Sequence, residues 1–233
     1  MPRTVRYVAF AACAALGVAG PALTDCGGAP PRTGAGSAVL AAAVLTGRDV
    51  PPEFLPAEDQ HPFDGLRPDD PYCARLLRIT GAIRARDFGG DGGSPEAHAA
   101  FYRLEPEATL VQHVFRLPSG KAAAAVDRGR RAVAGCPRLT FTFGYRGIGM
   151  RRALLRRPAA VPDAFAVRYW SGPGPQPVAL DMIMARTADD LLVLAAPGAL
   201  GAGGAHGFEG IAAKAIAKLA ALRGTTPPQA GAP

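Results

Sequence analysis

The chain has 233 residues, of which 48% are hydrophobic, so it can form the core of one domain with short appendages. Its 29 glycines and 23 prolines follow no three-residue period, which excludes a collagen-like protein. The net charge is +7, and only three of the 26 basic residues are lysines. A basic protein can bind nucleic acid or lie beside an anionic membrane, so the charge alone does not choose between these partners.

Residues 1–25 have the layout of a secretory signal peptide. Arg3 and Arg6 form a positive start, an uncharged apolar run follows over residues 7–19, and small residues come next. The run is shorter than the roughly 20 residues that a permanent membrane-spanning helix needs. Charged residues interrupt the best later candidate for a span, residues 178–196. We therefore predict that the chain is exported, and we expect no nucleic acid among its partners.

The sequence Leu-Thr-Asp-Cys-Gly-Gly over residues 23–28 resembles a bacterial lipobox, in which the cysteine becomes diacylated and N-terminal. Asp25 departs from the small residue that usually precedes this cysteine. The resemblance implies a lipid on Cys26 that holds the protein at the outer face of the cell membrane. Residues 26–36 would then be the lipidated cysteine and a flexible tether. The alternative is an ordinary secretory signal, cleaved near the same place, and a secreted protein.

Two cysteines remain for the domain once Cys13 leaves with the signal peptide and Cys26 carries lipid. Cys73 and Cys136 form an even pair, which predicts a disulfide in an oxidising compartment. Closing a loop of about 60 residues would stabilise the fold by ~4 kcal/mol on the chain-entropy model. The alternative is two buried free thiols. The chain has no CxxC and its four histidines are scattered, so we expect no zinc site.

Three helices are predicted between residues 37 and 224. The first begins near Ser37 and ends at Gly47, and the second runs from a cap at Ser119 to Gly135. The third is the clearest, because apolar residues recur at helical spacing over residues 208–222. Residues 225–233 are predicted to be a disordered tail.

Alternating apolar residues predict strands, most clearly over residues 139–145, 165–170 and 178–184, and residues 191–194 predict a fully buried strand. Weaker strands are predicted near residues 78–86, 98–104 and 108–116. Short turns between consecutive strands favour an antiparallel sheet. The predicted fold class is therefore α+β: a single domain over residues 37–224, mainly antiparallel sheet with about three α-helices packed on it.

No motif in the chain supports catalysis. Asp87-Phe-Gly89 spells a kinase motif without its other parts, and Pro118-Ser-Gly-Lys121 lacks the upstream glycine of a phosphate-binding loop. There is no GxSxG sequence, and each histidine is isolated. We therefore predict no catalytic residues, no metal site and no cofactor. A secreted hydrolase of unfamiliar type is the enzymatic alternative.

Nine arginines lie within thirty residues in the second half of the chain. One interpretation is contact with anionic ligands, wall polymers or phospholipid head groups. The other is a solvated face in a chain that uses arginine in place of lysine. The nine residues are Arg128, Arg130, Arg131, Arg138, Arg146, Arg151, Arg152, Arg156 and Arg157.

The order of several segments gives a family resemblance. An Ala/Leu helix precedes Gly47-Arg-Asp-Val-Pro-Pro-Glu-Phe54, then come Cys73-Ala-Arg-Leu-Leu77, an Ala-rich helix that runs into Cys136, and a final Ala/Lys helix. In this order the chain resembles actinobacterial sensor-domain lipoproteins, which are related to the PknH-like extracellular domain of membrane Ser/Thr kinases. The resemblance implies a sheet with helices around a cleft, disulfide support and a ligand-sensing role. Because the chain shows no kinase domain, signalling would need a partner protein.

The resulting hypothesis is a non-enzymatic ligand-binding or sensor module outside the cytoplasm. Its ligand is a small molecule or an envelope component, and the candidate binding residues are Arg168, Tyr169 and Trp170, where aromatic rings and a guanidinium occur together. The alternative is an envelope interaction protein that binds anionic wall polymer or lipid through an arginine-rich face.

Overall fold

The structure is a computed structural model, and it describes residues 35–57, 63, 66–81, 84–91, 93–143, 146–154, 161, 163–173, 177–199 and 205–222. The predicted signal peptide, Cys26 and the predicted tail lie outside these ranges, as does all of the predicted tether except its last two residues. Of the helices that are described, none is both long and apolar enough to cross a membrane.

The described residues form four α-helices and one antiparallel sheet of eight strands, which confirms the predicted α+β class. The order across the sheet is β1-β2-β3-β8-β7-β6-β5-β4, so β8 returns to lie between β3 and β7. The helices are α1 (Ala35–Ala41), α2 (Pro71–Thr80), α3 (Lys121–Gly135) and α4 (Ala205–Ala221), with a 3-10 helix at Ala85–Phe88. The strands are β1 (Leu55–Ala57), β2 (Glu96–Arg103), β3 (Ala108–Arg116), β4 (Arg138–Phe143), β5 (Arg146–Leu154), β6 (Ala164–Trp170), β7 (Val178–Thr187) and β8 (Asp190–Ala199).

Different helices cover the two faces of the sheet. Helices α1 and α4 pack on one face, which we call the α4 face, and α2, α3 and the 3-10 helix pack on the other, the α3 face. Strand β7 shows the alternation that a sheet with two cores requires. Its residues Ile183 and Ala185 point into the α4 face, and Met182 and Met184 point into the α3 face.

Helix α2 is an addition to the three predicted helices. The Asp70 carboxylate caps it, because Oδ1 accepts hydrogen bonds from the backbone N–H groups of Tyr72 (2.8 Å) and Cys73 (3.0 Å). Pro71 stands at the first helical position, where its missing N–H has no cost. The Asp-Pro pair is therefore the local sequence signal for this helix.

Three of the local predictions are wrong, and one strand is an addition. Helix α1 is Ala35–Ala41, so Ser37 lies inside it and does not cap it, and the helix ends before Gly47. The described residues within 78–86 belong to the end of α2 and to the 3-10 helix, because the cap at Asp70 starts a helix that continues to Thr80. Strand β5 was not predicted. Ser119 does not cap α3, since Gly120 occupies the N-cap with a φ of 75° and no side chain bonds the first turn. Glycine suits this left-handed position because it has no Cβ.

The buried Gln112 side chain joins the segment after α1 to the sheet. Its Oε1 accepts a hydrogen bond from Leu45 N at 2.6 Å, and its Nε2 donates to Ala43 O at 2.9 Å. These two bonds satisfy backbone groups that would otherwise be buried without partners. The segment thus lies firmly against β3 on the α4 face.

Two lysines of α4 also form hydrogen bonds with the segment that follows α1. Lys218 Nζ donates to Val44 O at 2.9 Å and to Asp49 Oδ2 at 2.6 Å, and Lys214 Nζ donates to Asp49 O at 2.8 Å. Burial alone would raise the pKa of Asp49, but hydrogen bonds from Lys218 and Thr46 lower it to about 2. This carboxylate therefore stays charged and keeps α4 attached to the segment.

Helix α3 approaches the sheet closely at Gly129. A Cβ built on Gly129 would lie 2.3 Å from a ring carbon of Phe165 and 3.0 Å from the Met184 sulfur, so only a residue without a side chain fits. Gly210 on α4 is exposed, and a Cβ there would meet nothing within 4 Å. The two positions form a matched pair for testing helix–sheet packing.

We expect Gly129→Ala to lower the free energy of unfolding by about 1–3 kcal/mol, because the added methyl group overpacks the interface. Gly210→Ala should instead raise it by up to about 1 kcal/mol, since alanine favours the helix and nothing is displaced. Urea unfolding of both variants measures these changes. If Gly129→Ala were as stable as the wild type, the close approach of α3 would be refuted.

Candidate functional site

Part of the α4 face is exposed to solvent. Helices α1 and α4 pack on β2, β3, β7 and β8, while the residues of β4 and β5 that point to this side are largely exposed. The exposed positions on β5 are Gly147, Gly149, Arg151 and Ala153. We call the α4 face of β4 and β5, together with Trp170 at the end of β6, the open surface.

Three side chains form a row across the open surface. Arg138 on β4 lies opposite Arg151 on β5, and Arg151 lies opposite Trp170 on β6. Neighbouring strands are about 4.8 Å apart, so the row spans about 10 Å. Both arginines are exposed, and Trp170 is 36% exposed. We call Arg138, Arg151 and Trp170 the basic row.

The two arginines of the basic row have no acidic partner in the part of the chain that the structure describes. Like charges directly opposite each other on neighbouring strands are unfavourable. Other arginines of the domain are engaged: Arg116 pairs with Asp190, for example, with Nε 2.7 Å from Oδ1. The basic row is therefore a site of uncompensated positive charge, which an anion would stabilise.

The buried Arg168–Asp181 ion pair lies in the next row of the same face. Arg168 Nε and Nη2 donate to the two Asp181 carboxylate oxygens at 2.6 and 2.5 Å, and the residues are 6% and 3% exposed. Burial, with a further contribution from the negative charge of Glu209 on α4, raises the pKa of Asp181 although the Arg168 bonds oppose this shift. The pair therefore fixes β6 to β7 beside the open surface.

Tyr169 points to the opposite face of the sheet. Its hydroxyl donates to Cys136 O at 2.6 Å, and the side chain is fully buried in the α3 face. Burial raises the pKa of the Tyr169 hydroxyl, so it remains a neutral donor. Of the three predicted binding residues, the structure thus places Arg168 and Trp170 on one face and Tyr169 on the other.

The predicted disulfide between Cys73 and Cys136 is confirmed, and the alternative of two free thiols is wrong. It joins the first turn of α2 to the residue that follows α3. The Tyr169 hydroxyl donates to Cys136 O, so this hydrogen bond also joins β6 to the disulfide-bonded residues on the α3 face. The strand that carries Trp170 is therefore held on both faces.

The clustered arginines whose side chains the structure describes do not form one surface. Arg130 pairs with Asp127 and Asp163, and Arg152 donates to Val133 O at the end of α3. The remaining exposed members divide between α3 and the basic row, while Arg156 and Arg157 lie outside the described residues. Sequence reasoning names the cluster, but only the strand register selects Arg138 and Arg151.

The described ranges contain no group of three or more residues that could hold a metal ion. His98 and His113 lie opposite each other on β2 and β3 with ring centroids 5.8 Å apart, and His113 also stacks on Phe115 at 5.8 Å. His113 is buried, so its described contacts are those of a packed side chain. The open surface is the candidate functional site.

No family model and no curated protein matches the chain. Among solved structures, the extracellular domain of PknH from Mycobacterium tuberculosis is similar, with a TM-score of 0.58 and 16% identity over 78% of this chain and 95% of that one. An uncharacterized Rv0999 ortholog from Mycobacterium smegmatis has a TM-score of 0.37 and 13% identity over 82% of this chain and 98% of that one, too low a score to support an inference. The predicted resemblance to PknH-like extracellular domains is confirmed for the fold.

We expect Arg168→Met to lower the free energy of unfolding by about 3–5 kcal/mol, because Asp181 would remain buried without its partner. The double variant Arg168→Met/Asp181→Leu should recover most of this loss, since neither charge is then buried. Urea unfolding of both single variants and the double variant measures the coupling. A loss below about 1 kcal/mol in Arg168→Met would show that the pair does not hold β6 to β7.

Proposed function

We propose that the chain is an exported, non-enzymatic binding module of the sensor type, held at the outer face of the cell membrane by a lipid on Cys26. The observation that carries the proposal is the basic row, in which two unpaired arginines and an exposed indole lie side by side. A fold that needs no ligand gains nothing from this arrangement, because the like charges repel each other. A bound anion would relieve the repulsion.

Three further observations support an address outside the cytoplasm. The first 25 residues have the layout of a signal peptide. The domain contains a disulfide, and disulfides persist in oxidising compartments. Its fold is similar to an extracellular domain of PknH. We accordingly assign residues 1–25 to the signal peptide, 26–36 to the lipidated cysteine and tether, 37–224 to the binding domain and 225–233 to a tail.

In this proposal the three candidate residues of β6 have different roles. Trp170 contacts the ligand because its ring is exposed in the basic row. Arg168 is a positioning residue that joins β6 to β7 through Asp181. Tyr169 is a positioning residue that joins β6 to the backbone of the disulfide-bonded Cys136. Any signalling role would pass through a partner protein.

A second candidate function is attachment to an anionic wall polymer without sensing. The uncompensated charge of Arg138 and Arg151 favours it, since wall polymers present many acidic groups. Both functions use the open surface. A sensor would bind a small ligand there, whereas an attachment protein would need the polymer itself. If no lipid is attached, the same module would be secreted rather than tethered.

We expect Cys26→Ala to release the full-length protein from the membrane fraction of an exporting bacterium, because the lipid is its anchor. Cys13→Ala is the matched control: it removes a cysteine of the apolar run, and the protein should stay with the membrane. Immunoblots of membrane and soluble fractions give the measurement. Retention of Cys26→Ala on the membrane would contradict the lipid anchor, and a cytosolic chain that keeps Met1 would contradict export.

Native mass spectrometry of the protein recovered from the exporting host tests the binding role. We expect a population heavier than the processed, lipidated polypeptide, and we expect the extra mass to disappear when the protein is denatured. Extra mass that is lost on denaturation reports a ligand bound non-covalently to the protein. A spectrum that contains only the processed polypeptide, from cells grown in several media, would count against a small-ligand sensor.

A further inference from the structure

The basic row offers hydrogen-bond donors and positive charge but no acceptor side chain. Each guanidinium of Arg138 and Arg151 presents a planar set of N–H donors that matches a carboxylate or a phosphate. No acidic side chain of the described residues pairs with them. A ligand for this row must therefore supply the acceptors, and its acidic group would lie between the two arginines.

The indole of Trp170 adds a flat apolar surface at one end of the row. It is 36% exposed and stands one strand away from Arg151. On its other side, Trp170 lies opposite Ala179 of β7, which is only 2% exposed. Trp170 therefore marks the boundary between the covered part of the α4 face and the open surface. A saccharide ring has one face of C–H groups that packs on an indole, while its hydroxyls stay in contact with water.

The floor beside the row suits an extended ligand. A Cβ added at Gly147 would meet nothing within 4 Å, and one at Gly149 would meet only the Thr140 methyl group at 3.8 Å. The Thr140 hydroxyl can donate to or accept from a sugar hydroxyl. The row crosses three strands, about 10 Å, and ends at the edge strand β4, where a longer chain could continue past the protein.

A lipid bilayer fits this surface less well. Apart from Trp170, the side chains at this face on β4 and β5 include Arg138, Thr140, Arg151 and Ala153, none of which is a large apolar group. Insertion into a membrane interface needs an apolar face beside the basic residues. The combination of one indole with two guanidiniums on an open strand surface favours a saccharide ring that carries an acidic group.

We infer that the basic row of Arg138, Arg151 and Trp170 binds an acidic sugar, meaning a pyranose that carries a carboxylate or a phosphate. The inference rests on the proposed function, because it specifies the ligand class of the same surface. The sugar can come from two sources: a free acidic saccharide, or one unit of an acidic envelope polysaccharide. In both cases the acidic group lies on the two arginines and the ring lies on the indole.

Isothermal titration of the full-length exported protein in neutral detergent tests the inference, with polygalacturonate, galacturonate and glucose 6-phosphate as probes. We expect saturable binding that Arg138→Gln/Arg151→Gln weakens at least tenfold. Trp170→Leu should weaken binding at least fivefold with no change in charge. The matched control is Arg128→Gln/Arg131→Gln on α3, which removes two positive charges from the other side of the domain and should change affinity less than twofold.

The probes distinguish the two sources. Binding of a monosaccharide that competes with the polymer assigns a free saccharide, and binding of the polymer alone assigns an envelope polysaccharide. The inference is overturned if none of the three probes binds, or if the α3 variant loses as much affinity as the basic-row variant. It is also overturned if phosphatidylglycerol vesicles bind through the basic row while the sugars do not. An exported protein with a bound mass but no affinity for acidic sugars would refute this inference alone, whereas a cytosolic protein would refute the proposed function.

Discussion

The antiparallel pairing of β3 with β8 is the interaction on which the rest of the structure depends. It joins the first three strands to the five that follow α3, although the paired residues Arg116 and Asp190 are far apart in the chain. The same two residues form a bidentate ion pair, with distances of 2.7 and 2.9 Å, at the end of the pairing. Because α1 packs on β2 and β3 while α4 packs on β7 and β8, the core of the α4 face exists only when this pairing has formed. Pairing over such a separation makes folding slow relative to local hairpins.

The sequence predicts an element correctly where its apolar residues recur with a single period and all point to one buried face. Strands β6 to β8 and helix α4 were found because their apolar residues recur at spacings of two and of three to four residues. Strand β5 was missed because one side of it is exposed and carries Gly147, Gly149 and Arg151, which leaves only Ile148 and Met150 as apolar alternation. Helix α2 was not predicted, although the Asp-Pro pair at its start is a local signal for a helix N-terminus.

The candidate site was predictable only in part, because a site on a sheet depends on register. The choice of three consecutive residues of β6 included Trp170, but neighbouring residues of a strand point to opposite faces, and so Tyr169 could not share its surface. The burial of Arg168 follows from a partner on β7, which no local pattern shows. Arg138 and Arg151 were visible as members of a charge cluster, and their direct opposition follows only from the pairing of β4 with β5.

The two edge strands of the sheet, β1 and β4, affect how copies of the protein interact with one another. A sheet with free edges can add further strands from other molecules and aggregate. Here β1 is only three residues long, and part of β4 is already occupied by a bridge between Pro68 and Phe141. The guanidinium of Arg138 adds positive charge to that same edge, so a second copy approaching it would be repelled. The residue that we assign to an anionic ligand would thus also keep crowded copies from joining edge to edge while the site is empty.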